Sequence, residues 1–214
     1  MVKNLEIIEQ AIDFLKTGLW DNNPDTIKSM LFEFISQNTD PVAGFKKLSV
    51  WDCVADSEKD SVFNYAYLDH LKKVAVATNG KVIFINPDEY KVTASVENGE
   101  VINKDYSNHE CDGYPDYTKA IPADEEMEDV ALIPAADMAN FAKQAMVVGM
   151  LSGNENPCIQ VIGDNHESLV GVNFIPYILT AGTDGWKKHK AKPIYVKKYD
   201  GKTLVIVGKV ILKH

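Results

Sequence analysis

The sequence predicts an α+β protein: antiparallel sheets with helices on one face, preceded by an N-terminal helical segment. Three observations predict it. Short runs rich in β-branched and aromatic residues recur at 60–105 and again towards the C-terminus, separated by Asn-Gly and Asp-Gly turns. Apolar residues at helical spacing fill only a few stretches. No regular strand–helix–strand alternation supports a parallel sheet.

Residues 4–19 place Leu5, Ile8, Ile12, Leu15 and Leu19 three and four apart, one apolar stripe of a helix. Asn23 and Pro24 start a second helix, with Ile27, Met30, Leu31, Phe34 and Ile35 as its stripe. "SVFNYAYLD", "VAVAT", "KVIFINP" and "YKVTASV" read as strands of an antiparallel meander, with hairpin turns at TNGK (78–81) and ENGE (97–100). After residue 128 the expected order is β-α-β-β-α-β-β. "VALIP" is a strand, and "AADMANFAKQAMVVGM" is a helix with Met138, Phe141, Ala142, Ala145 and Met146 on one face. "PCIQVIGD" and "ESLVGV" are strands, and "NFIPYILTAGTDGWKKH" begins as a helix with Pro176 in its first turn. A hairpin across Asp200-Gly201 and a last strand end the chain. Three segments follow: 1–45 helical, 46–126 β-rich with a connector, and 127–214 α+β.

The composition, 45% hydrophobic and 25% charged over 214 residues, is that of a soluble globular protein. No apolar run approaches the roughly 18–20 residues that cross a bilayer, and "MVKNLEIIEQ" is amphipathic, unlike a signal peptide. Three distant cysteines, Cys53, Cys111 and Cys158, fit free thiols in a reducing compartment, so a cytoplasmic location with no membrane partner is expected. Charge is uneven. Residues 1–127 hold 23 acids and 12 lysines, whereas 128–214 hold 8 acids and 10 lysines. Seven lysines crowd between Trp186 and Lys202, and the chain has no arginine. Without arginine's bidentate fork a sequence-reading DNA protein is not expected. The lysine-rich segment is either a solvated face or a weak, non-specific phosphate contact.

Catalytic patterns do not assemble. No Walker or dinucleotide glycine pattern occurs, and the Gly-Lys pairs of TNGK and YDGK sit in hairpin turns. His109 and Cys111 form a lone H-x-C without the second pair that zinc needs, and Asp164 with His166 reads as loop. No G-x-S-x-G elbow is present, and Cys53 lies in an apolar stretch that favours burial over reactivity. The acidic run "ADEEMED" (123–129) reads as a solvated linker rather than an acid–base pair. The expectation is a binding or scaffolding protein, not an enzyme, with no metal or cofactor.

One stretch stands out, "DGYPDYTKAIP" at 112–122. Pro115 and Pro122 stiffen it, while Tyr114, Tyr117 and Ile121 can pack on what lies beside it, so it is a rigid connector and not a flexible tether. With "VAVATNGKVIFI" (74–85) upstream and "DMANFAKQA", "GVNFIPYIL" and "TLVIVGKVILK" downstream, it resembles the bacterial DNA polymerase III β subunit, the sliding clamp family. The resemblance covers roughly residues 50–214. It implies a DNA-clamp-like fold with one shortened and one full clamp-type unit. Clamps usually carry Asp-Gly-His-Arg in the turn where this chain has Asn79-Gly80-Lys81-Val82.

The resemblance implies a DNA replication accessory protein that tethers polymerase-type peptides to duplex DNA without reading sequence, as a homo-oligomeric ring. A ring-less, clamp-derived protein-binding module with no DNA role is the alternative. An enzyme using carboxylates, or Cys111 with His109, is the third reading. Carried over by residue, the peptide pocket would be walled by Thr78, Gly80, Lys81 and Val82 from the turn, Pro115 and Ala120 from the connector, and Val210 and Leu212 from the last strand. The DNA-facing charges would be Lys143 on the first inner helix and Lys187, Lys188 and Lys190 near the end of the second.

Overall fold

A computed structural model describes residues 47–56, 61–91, 99–110, 113–154, 156–163 and 169–208. The helices expected at 4–19 and 23–35, most of the strand expected at 90–96, Cys111, Asp164, His166, Val210 and Leu212 lie outside the described residues.

One eight-stranded sheet dominates. Its strands are β1 (Ala66–Asp69), β2 (Val74–Thr78), β3 (Val82–Asn86), β4 (Glu100–Ile102), β5 (Met127–Val130), β8 (Trp186–His189), β9 (Ile194–Tyr199) and β10 (Lys202–Val207). They run in the order β4-β1-β2-β3-β10-β9-β8-β5, every neighbouring pair antiparallel. The join between early and late strands is β3 with β10, where Phe84 faces Leu204 and Val82 faces Ile206. Strands β6 (Cys158–Gln160) and β7 (Leu169–Gly171) form a separate hairpin. The fold is therefore α+β with a large antiparallel sheet, as expected.

The turn chemistry follows the residues. Gly80 takes φ +83 between β2 and β3, and Asn79 Oδ1 accepts from the Lys81 and Val82 amides at 3.0 and 2.9 Å. Asp200 and Gly201 both take positive φ, as the tight turn between β9 and β10 requires.

Alternate residues divide the sheet into two faces. Ala75, Ala77, Val82, Phe84, Leu204 and Ile206 join a core completed by helix α1 (Ala135–Ser152) and helix α2 (Ile175–Ala181), which pack against each other. Val76, Ile83, Val196 and Val205 point the other way, onto Tyr117, Met127, Tyr114 and Ile121. So both helices serve one face and the connector serves the opposite one. On α1 the buried arc centres on Met138 and Ala142. Phe141 lies at its edge and is 45% exposed, contrary to the expected stripe.

Two strands depart from expectation. β5 lies at 127–130, not 130–134. Its acidic sequence is a poor strand former alone, but Glu128 sits opposite Lys188 and Asp129 opposite Lys187, an arrangement that favours the pairing. β8 was expected as helix. Instead α2 stops at Gly182, φ +82, and Gly185, φ +67, turns the chain so that Trp186 enters the core. The Gly182 carbonyl then accepts from Trp186 Nε1 at 2.8 Å and from Lys197 Nζ at 2.9 Å. Lys197 is only 9% exposed, and burial holds its ammonium below the usual lysine range.

Phenols mark how tightly the layers close. Burial pushes Tyr114, Tyr117 and Tyr177 well above the usual phenol range, and Tyr199 up to about 12. Each raised pKa contributes stability that is complete below the unfolded value, about 10, and is lost as pH rises through the folded one. Alkaline titration should therefore show phenolate absorbance rising together with loss of circular dichroism. Ionisation of these four tyrosines near their ordinary value in a still-folded chain would contradict this packing.

Candidate partner-docking junction

The connector lies flat against the sheet as a strap. Tyr114 stacks on Tyr67 of β1, ring centroids 5.2 Å apart and planes 10° from parallel, and its phenol sits beside the backbone of Thr78. Tyr117 is anchored next. Its hydroxyl donates to Asp69 Oδ2 at 2.8 Å and receives Lys72 Nζ at 3.2 Å, with that ammonium 4.8 Å from the ring centre. Asp69 is itself buried at the end of β1, and its other oxygen accepts from the Lys72 amide at 2.9 Å. Asp116 then caps the turn Tyr117–Ala120 through the Thr118 amide at 3.2 Å and hydroxyl at 2.6 Å.

Tyr117→Phe keeps the ring and removes one charge-accepting hydrogen bond, so we expect a stability loss of about 1.5–3 kcal/mol. A denaturation midpoint equal to wild type would show that the anchor is not used.

The expected pocket residues divide between the two faces. Thr78, at the end of β2, is paired with Ile83 and so faces the connector, and its hydroxyl receives the Gly80 amide at 3.0 Å. Gly80 and Lys81 are exposed at the hairpin tip, and Pro115 and Ala120 are exposed on the connector. Val82 is fully buried among the helix-side residues, so its side chain is unavailable as a wall. β10 arrives beside the tip, with the Val207 amide donating to the Lys81 carbonyl at 2.8 Å.

The expected DNA lysines do not share one surface. Lys143 is half-buried on α1. Lys187 and Lys188 sit on strand β8 rather than on a helix, and successive strand residues point to opposite faces. Lys187, opposite Val196, faces the connector side, and Lys188, opposite Tyr195, faces the helices. Lys190 follows the strand and donates through Nζ to the Glu125 carbonyl at 2.7 Å.

The remaining sequence candidates have structural surroundings. Cys53 is fully buried; burial, with help from Asp52 and Glu89, pushes its thiol well above the usual range. His109 stacks on Tyr65, centroids 3.6 Å apart. Among the described residues no three His, Cys, Asp or Glu side chains gather in a metal-binding group, and no helix is long and apolar enough to cross a membrane. Sequence reasoning missed Asp69 and Lys72 as anchors, because a buried aspartate ending a strand carries no local signal. It also missed the acid–lysine match of β5 and β8, which the complementary runs 123–129 and 187–198 could have suggested.

No protein-family model matches the chain, and no curated protein matches it. Among solved structures, the β sliding clamp of C. crescentus, crystallised with PEG bound, is similar with a TM-score of 0.49 and 13% identity. The similarity covers 76% of this chain and 63% of that one, so this chain spans less than two thirds of that protein's length.

Proposed function

We propose that the chain is a clamp-like partner-docking module that captures a short extended peptide where the β2–β3 hairpin tip, the connector and the end of β10 converge. One observation carries the reading. A connector that could have been a loose linker is instead strapped to the sheet by the Tyr117–Asp69 hydrogen bond and the Tyr114–Tyr67 stack, which fixes Pro115 and Ala120 relative to Thr78, Gly80 and Lys81. A preorganised surface suits an extended peptide, because little entropy is lost on closure. The sequence resemblance over 74–85 and 113–122 supports the same reading.

Tethering to duplex DNA, as in a ring, is less well supported. The lysines that the resemblance would place towards DNA are split between two sheet faces, and Lys190 is already engaged.

The docking reading is tested with labelled short peptides carrying leucine or phenylalanine at alternate positions. We expect fluorescence anisotropy to detect binding at micromolar concentration, and Pro115→Asp with Lys81→Glu to weaken it about ten-fold, the effect of roughly 1.4 kcal/mol. Both positions are exposed, so circular dichroism should not change. Affinity that is the same in the double variant would remove this junction as the site.

A further inference from the structure

The outer side of α1 is unlike a solvated helix face. Phe141, 45% exposed, and Val148, 57% exposed, lie two turns apart on one line, with the uncharged Asn140 and Gln144 beside them. Among the described residues the exposed positions of α1 carry a single charge, Asp137 in the first turn. A helix that faces water normally puts its charges on that side, whereas one that is apolar there too is covered.

Residues 4–19 lie outside the described residues, and their sequence carries the complementary feature. At helical spacing Ile7, Ile8, Ala11, Ile12, Phe14 and Leu15 share about half of the circumference. No charge falls within that arc, because Glu6, Glu9, Asp13 and Lys16 take the other half. Helices draw most of their stability in proteins from packing such an arc.

We propose that residues 4–19 form a helix that docks its apolar arc on the outer face of α1, over Phe141 and Val148. This face lies on the opposite side of the sheet from the connector, so the inference stands independently of the peptide reading.

The described chain begins on the side that the docking requires. Leu48 joins the core that Met138 and Ala142 of α1 also line, and the Asp52 carbonyl accepts from the Tyr177 hydroxyl of α2 at 2.6 Å. Residues 36–46, extended, span up to about 36 Å, and the 18 residues of α1 span about 27 Å. The tether is therefore long enough to lay 4–19 along α1. A second copy is the weaker occupant. Two exposed apolar side chains per copy fall well short of the roughly 1,200 Å² that a stable interface buries, whereas a segment of the same chain meets the face at an effective concentration that a free partner does not reach. Residues 23–35 fit less well, because Lys28 falls between Ile35 and Phe32 on their apolar side.

The test is thiol protection in the full chain. In a Cys111→Ser, Cys158→Ser background, Val148→Cys should react with a maleimide at least about ten-fold more slowly than Lys119→Cys, which replaces a side chain 83% exposed on the connector. Ile8→Asp with Ile12→Asp should remove that protection. Glu9→Gln with Asp13→Asn, on the other half of the same segment, should leave the rate within about two-fold. Buried Cys53 reports on the body of the protein and stays unlabelled while the sheet is folded. If the double aspartate variant also opens Cys53, Ile12→Gln alone serves, with a rise of at least about three-fold. Val148→Cys as reactive as Lys119→Cys from the start would show an uncovered face and overturn the proposal. Protection that falls on dilution of the protein would do the same, since it marks a second copy. So would protection that survives the changes at Ile8 and Ile12; its loss with Met30→Asp and Phe34→Asp instead would assign the face to residues 23–35.

Discussion

Leu204→Ala is expected to lower stability by about 2–5 kcal/mol, the range for emptying a closed leucine site, and to unfold the early and late strands in one transition. Leu204 is fully buried on β10, opposite Phe84 of β3 on one side and Lys197 of β9 on the other. β10 is the strand that carries the sheet from β1–β4 to β9, β8 and β5. A cavity there loosens the packing of both groups at once, so tryptophan fluorescence and far-ultraviolet dichroism should report the same midpoint. Val207 ends the same strand at 37% exposure, and Val207→Thr should stay within about 0.5 kcal/mol of wild type, as surface changes do. Two separated transitions for Leu204→Ala would mean that the two strand groups fold as independent units.

The legible parts of this fold were those with local causes. Asp200-Gly201 announces a hairpin because such pairs readily accept two successive positive φ values, and Asn79-Gly80 does so differently, with positive φ at Gly80 alone and the Asn79 side chain closing the turn. Pro176 allowed α2 to be placed correctly because a proline is tolerated in a first helical turn. The illegible parts depend on partners distant in sequence. "WKKH" looks like the end of a helix until β5 and β9 pair with it on both sides. Pairing of β3 with β10 joins residues about 120 positions apart, and no local pattern encodes that.

The candidate site divides in the same way. The tyrosines and prolines of 112–122 indicated stiffness, but which sheet face they cover is set by Asp69 and Tyr67. Reading Lys187 and Lys188 as helical put them on one side; a strand's period of two separates them. Val82 was placed in the pocket by its position in the turn, and the pleat sends it to the opposite core.

Glu89→Ala is expected to cost about 3 kcal/mol or more, since hydrogen bonds to a charged acceptor contribute about 1.5–3 each, and to release the segment 47–56 before the sheet unfolds. The Glu89 carboxylate, in the turn after β3, accepts from Ser49 Oγ at 2.8 Å, the Val50 amide at 3.2 Å and Asn86 Nδ2 at 2.7 Å. Val50 and Asn86 are fully buried, so neither amide can turn to water when the carboxylate is removed. Within this segment sits Cys53, whose thiol is shielded and held protonated by burial. In a Cys111→Ser, Cys158→Ser background, Glu89→Ala should therefore make Cys53 react with a thiol reagent at least about ten-fold faster, as local opening becomes frequent. Glu89→Gln supplies the control. It removes the same negative charge but keeps an acceptor oxygen for the segment, so its labelling should stay near wild type. If alanine and glutamine label alike, the Glu89 charge beside the thiol governs reactivity and the three-way hydrogen bond does not hold the segment down.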